Sequence, residues 1–186
     1  MISFLSSRRS ILWSQNTAAF KEAFMLGLGI ILLAVASRLS IPLWPVSLTF
    51  QSMTVVLIGM LYGSKRGIAI VATYLALGAM GVPDLADGAG GLVYFTHPSV
   101  GYLFGFLPAA FVSGWLSERQ FARSKLACFA IALLGAAIIF TCGFAVLSFF
   151  YGIKQAIMFG LLPFIISEPI KMAAIAFVAP RFWRNS

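Results

Sequence analysis

Glu168 and Lys171 stand three residues apart in the run Pro163-Phe-Ile-Ile-Ser-Glu-Pro-Ile-Lys171, inside an otherwise apolar segment from Phe159 to Val178. On a helix that spacing puts both side chains on one face, so a carboxylate acceptor and an ammonium donor are presented side by side. The segment has about the 20 residues that a helix needs to cross a bilayer. Each charge at the centre of such a helix costs roughly 2.5–3.5 kcal/mol, while each Leu, Ile, Phe or Val returns only about 0.3–0.6. The ten such residues here offset one charge comfortably and two only partly. A pair kept on those terms faces a bundle interior and holds a partner or a polar solute. The alternative is an ion pair that only locks helices together.

The elements that must position this pair are membrane helices. With 186 residues, 61% of them hydrophobic and 10% charged, the chain reads as an all-α integral membrane protein, a polytopic bundle of six spans with short loops. The formal net charge of +8 invites a nucleic-acid reading, but the positions of the cations explain it more simply. The six expected spans are 19–37, 49–62, 67–80, 100–116, 126–150 and 159–178. They put Arg8, Arg9, Lys21, Lys65, Arg66, Arg119, Arg123, Lys125, Arg181 and Arg184 on one side and only Arg38 and Lys154 on the other. Ten cations against two is a strong positive-inside bias, so both termini are expected in the cytoplasm. Residues 1–18 read as a short basic arm, 19–180 as one membrane domain and 181–186 as a tail. A twin-arginine reading of Ser7-Arg-Arg-Ser-Ile-Leu12 fails because Asn16, Lys21 and Glu22 interrupt the apolar region that should follow.

Cys128 and Cys142 fall on one predicted helix about 21 Å apart along its axis, too far for a disulfide. With His97 the only histidine, no metal-ligand spacing exists, and no cofactor is expected. Two prolines, Pro42 and Pro45, break the chain before the second span, and Trp44 between them suits a membrane interface. The long connection Val82 to Ser99 holds Asp84, Asp87 and several glycines and is a candidate lid or binding loop. With this topology it faces outward, as does the half of the last span that carries Glu168 and Lys171. The polar features therefore collect on the side where a protein capturing an external solute would keep its site. Ala19, Ala23 and Gly27 form a row of small residues suited to close approach by another helix, of this chain or of a partner.

Four ordered motifs resemble the BioY family, the biotin-specific S-components of energy-coupling factor (ECF) transporters. They are Pro45-x-x-x-Thr49-x-Gln51; Gly59-Met-Leu-Tyr-Gly63-x-x-x-Gly67 with Tyr74, Gly78, Gly81 and Pro83; His97-Pro-Ser-Val-Gly-Tyr-Leu103-x-Gly105-Phe106; and Pro163-Phe164 through Glu168 and Lys171. The family's Gly-Asp before the lysine is here Ser167-Glu168, and its Gly-Pro-Thr-Gly-Gly run is His97-Pro-Ser-Val-Gly101. The resemblance implies a six-helix bundle in the bacterial cytoplasmic membrane that binds biotin on its outward side for uptake. Glu168 would accept from the ureido N–H groups. Lys171 would donate either to the ureido carbonyl or to the carboxylate. Tyr102, Gln51 and Asp87 are further candidate polar contacts, and Trp44 and Phe95 a candidate apolar wall or belt residues. The chain carries no Gly-x-x-x-x-Gly-Lys-[Ser/Thr] phosphate loop. By resemblance, energy comes from ATPase subunits through a membrane coupling subunit docked on the Ala19/Ala23/Gly27 face, unless the chain acts without them.

Two other functions compete. A transporter for another small anionic or zwitterionic solute would use Glu168 as a proton or solute site. An intramembrane enzyme would need Ser113 or Ser167 as nucleophile, yet His97 lies on an outward loop while Ser113 lies toward the inner end of its span.

Overall fold

The computed structural model describes residues 2–83, 85–119, 121 and 124–183; for residues 2–18, 87 and 181–183 only the backbone is described. Helix α1 (Ile2–Arg38) runs without a break through the expected basic arm into the first span. A two-stranded antiparallel ribbon follows, β1 (Ser40–Ile41) with β2 (Leu48–Thr49), pairing Ser40 with Thr49 and Ile41 with Leu48. Its turn contains a cis Trp44–Pro45 peptide. Then come α2 (Gln51–Ala79), two 3₁₀ turns (Ala86–Gly88 and Leu92–Thr96), α3 (Val100–Glu118) and α4 (Lys125–Tyr151). The chain ends in α5 (Ile153–Gln155), a π-helical stretch (Ala156–Leu161) and α6 (Leu162–Trp183). The last crossing therefore begins at Ile153, earlier than the expected 159.

Among the described residues, five helical stretches are long and apolar enough to cross a membrane: Ala19–Arg38, Gln51–Ala79, Val100–Glu118, Lys125–Tyr151 and Ile153–Pro180. The count differs from the expected six because α2 covers both the second and the third expected span. Gly63 interrupts it with φ 82° and ψ 175°, a backbone region open essentially to glycine alone. A Cβ placed on Gly67 would lie 3.1 Å from the Gly59 Cα. Eight residues of unbroken helix would separate the two by about 12 Å, so the chain folds back on itself at Gly63. The N–H groups that open a helix need acceptors. Glu118, at the end of α3, supplies one, accepting from the Ser64 N–H (2.7 Å) and the Ser64 hydroxyl (2.9 Å).

α3 packs against both α2 and α4, α6 against α4, and α1 against α2. Tyr74, Ile58, Met60, Ile139, Leu147 and Met172 are fully buried between these helices. Outward faces carry Phe24, Ile31, Phe149, Ile166 and Phe177, as apolar as the core, which is what a bilayer requires. At the end of the bundle that holds the Gly63 turn, the Arg66 guanidinium forms a two-nitrogen ion pair with Glu22 of α1. At the other end the connection from Val82 to Ser99 folds over the helices. Leu85 is completely buried there, the Gly91 N–H donates to the Gly78 carbonyl (2.7 Å), and the Arg38 guanidinium donates to the Pro83 carbonyl.

Candidate functional site

α6 carries both charges inward. Glu168 and Lys171 are each only 6% exposed, and they form an ion pair within one helical turn. Pro169, between them, has no N–H to give to the turn before it. The pair is tied to the start of α2. Ser52 Oγ donates to the Glu168 carboxylate (2.9 Å to Oε2, 3.1 Å to Oε1), and Lys171 Nζ donates to Ser52 Oγ (3.0 Å) and to the Thr49 carbonyl (2.8 Å). An ammonium has three hydrogens, and Glu168, Ser52 and Thr49 use all three. Lys171 therefore holds and orients the carboxylate. It is not among the residues that line the adjoining cavity.

That cavity holds about 480 Å³ of space free of protein atoms, part of it open to solvent. Glu168, Gln51, Ser52 and Thr49 form one polar end of its lining. Gln51 is fixed on both sides. Its Oε1 accepts from Thr49 Oγ1 (3.1 Å) and its Nε2 donates to the Tyr74 hydroxyl (2.6 Å), a bond that uses one of the two amide N–H groups. The walls are apolar: Leu103, Phe106, Ile139 and a cluster of Tyr102, Phe140 and Phe164. The Phe140 and Phe164 ring centroids are 5.0 Å apart, and the Tyr102 ring meets Phe140 edge-on at 5.5 Å. Gly143 makes room for the Tyr102 ring, since a Cβ there would strike it. Ala86 and Tyr94, from the Val82–Ser99 connection, also line the cavity, together with Ser99.

Glu168, Gln51 and Tyr102 thus meet around one space, with Lys171 directly behind. Tyr102 lines the cavity, and its hydroxyl donates to the Gly160 carbonyl (2.9 Å). Trp44 is 70% exposed and packs on Tyr151 and Phe159, and Phe95 packs on Phe104; neither lines the cavity. The Asp87 side chain lies outside the described residues, as does Asp84. Sequence reasoning missed Ser52, Phe140 and Tyr94 as lining residues. Ser52 was open to discovery as the hydroxyl next to Gln51 at the mouth of a span. The two halves of the enzyme reading stay apart: Ser113 Oγ donates to the Ala109 carbonyl (2.7 Å), Ser167 is half-buried with its Oγ donating to the Pro163 carbonyl (3.4 Å), and His97 Nδ1 is bonded to Ser99 Oγ (2.9 Å).

A bundle of membrane-length helices, closed around an aromatic-walled cavity with a buried carboxylate and an amide N–H at one end, defines a membrane-embedded solute-binding protein. The chain belongs to the BioY family, whose model matches residues 10–186. It is 38% identical over 162 residues to the biotin transporter BioY of Thermotoga maritima, covering 87% of this chain and 95% of that one. It is 32% identical over 166 residues to the probable biotin transporter BioY of Pyrococcus horikoshii, covering 89% and 98%. Its fold is similar to the crystal structure of the S-component for biotin from an ECF-type ABC transporter, with a TM-score of 0.77, 30% identity and 93% of each chain covered.

Proposed function

We propose that this chain binds biotin and carries out its uptake as the substrate-specific S-component of an ECF transporter. Its family consists of transport components rather than enzymes. The observation that carries the reading is that Glu168 and Gln51 line one cavity. A cyclic urea offers N–H donors beside a carbonyl acceptor. Glu168, held by Lys171 and Ser52, accepts from the former, while the remaining N–H of Gln51 donates to the latter. Tyr102, Phe140 and Phe164 supply the apolar wall for the fused rings.

The two arms of α2 on either side of Gly63 each read as one crossing, which makes six in all and returns both termini to one side. The excess of Lys and Arg on that side supports a cytoplasmic location for it. On this reading residues 19–180 are the membrane domain of a multi-pass protein of the bacterial cytoplasmic membrane, with the 1–18 arm and the 181–186 tail inside the cell. The coupling subunit docks on Ala19, Ala23 and Gly27 and brings the ATPase subunits with it. In support, Ala19 and Ala23 are exposed, and nothing in the chain lies within 4 Å of a Cβ placed on Gly27.

The deciding experiment is equilibrium binding of biotin to the purified protein in detergent, beside Glu168→Ala and Gln51→Ala. Binding by the parent that is weakened in both variants supports the assignment. A well-folded parent that does not bind biotin rules it out.

A further inference from the structure

We propose that an acyl chain of a bilayer lipid occupies a cleft between α4 and the last crossing, and that it forms the outer wall of the solute site behind Phe140 and Phe164. This goes beyond the biotin reading and does not depend on it. Leu133, Ala136 and Ala137 of α4 form one side of the cleft and Leu161, Ile165 and Pro169 the other. Glu168, Phe140 and Phe164 line both this cleft and the solute cavity. The cleft opens away from the bundle, since Ala137 and Ile165 at its rim are exposed, as is Ile166 beside them.

Its depth and chemistry decide what fills it. α4 crosses from Lys125 to Tyr151 and the last crossing runs from Ile153 to Pro180, so residues 133–140 and 161–169 straddle the midpoints of both. Headgroups then lie about 15 Å away, half of a hydrocarbon core about 30 Å thick. On the bilayer side, only hydrocarbon is present at that depth. Apart from Glu168 the lining has no polar side chain. The small side chains of Ala136 and Ala137 leave about 590 Å³ free of protein atoms, part of it open to the surroundings. Left unfilled, that space would cost the side chains around it their dispersion contacts, and a flexible chain restores them. Phe140 and Phe164, with ring centroids 5.0 Å apart, are then the partition between hydrocarbon and solute. The acyl chain keeps water from the Glu168 carboxylate on that side, which strengthens its bonds to Ser52 and Lys171.

The test is photolabelling of the full chain in lipid nanodiscs loaded with one copy each. The discs are made of phosphatidylethanolamine and phosphatidylglycerol with a trace of phosphatidylcholine bearing a diazirine midway along one acyl chain, and adducts are mapped by mass spectrometry. Glu168 is only 6% exposed, so a lipid that merely lies along the bundle does not reach it, whereas Ile166, 74% exposed, reports ordinary contact with the bilayer. Adducts are expected on Glu168 and Leu133 as well as on Ile166. Ala137→Trp fills the cleft and should abolish the Glu168 adduct while leaving that on Ile166 at the parent's level. Ile165→Trp, which fills it from the other helix, takes its place if Ala137→Trp lowers the thermal unfolding midpoint. A parent labelled on Ile166 but not on Glu168 overturns the inference, with no variant needed. A Glu168 adduct that persists in a folded, filled variant overturns it too. Protection of Glu168 when two copies are loaded per disc would give the cleft to a second chain and overturn it as well.

Discussion

Glu168 and Lys171 could be picked out from sequence because two charges three residues apart in an apolar span have no inexpensive explanation. Ser52 and the Thr49 carbonyl, which complete their bonding, have no such signature: a backbone carbonyl is offered by every residue, and a hydroxyl in a membrane helix is common and usually satisfies itself on its own backbone, as Thr141 does on Ala137. The arrangement separates the stability role of the pair from its role in binding. Lys171→Met leaves the buried carboxylate without its cation and should destabilise the protein by about 3–5 kcal/mol. The double variant Glu168→Gln with Lys171→Met removes both charges and should recover most of that loss in thermal unfolding. It should nevertheless bind biotin weakly, because the neutral amide is a poorer acceptor. Parent-like binding by the double variant would reduce the pair to a helix lock.

Among the elements, the break in α2 was written in the spacing of Gly59, Gly63 and Gly67, and the structure shows what the spacing is for. Gly63 alone accepts the backbone conformation, and its missing Cβ leaves room for the Glu118 carboxylate. Gly63→Ala should lower the unfolding midpoint in detergent, with a cost of at least about 1–3 kcal/mol for the backbone alone; a variant as stable as the parent would mean that the turn is not held as described. The β ribbon after α1 was not legible, since Pro42 and Pro45 argue against strands and only two residues pair on each side. The π-helical stretch before α6 has no sequence signal either. It matters because its Gly160 carbonyl fixes the Tyr102 ring against the cavity.

Over the whole molecule, the class was readable from composition, but not the face that each helix turns inward. A lipid tail is as apolar as a leucine core, so α4 shows no polar outer face to betray its buried one: Phe149 is exposed to the bilayer side while Phe140 lines the cavity. Two predictions belong at this scale. In a variant without native cysteines, Leu92→Cys should react with a membrane-impermeant maleimide on intact cells and Lys65→Cys only after lysis; the reverse pattern would invert the topology. Ala23→Trp should leave biotin affinity in detergent unchanged while abolishing uptake that depends on the coupling subunit. Loss of affinity instead would place that face in the binding fold rather than in docking.

Among the described residues, Leu85 is the one fully buried side chain of the connection that covers the cavity. Returning a leucine to water costs about 1.5–3 kcal/mol, which taken alone keeps the cover lifted in roughly one molecule in ten to one in two hundred at any instant. Entry is then metered by a clock rather than a door: the observed association rate is the intrinsic one multiplied by that fraction, and a captured molecule must wait for the same rare moment to escape.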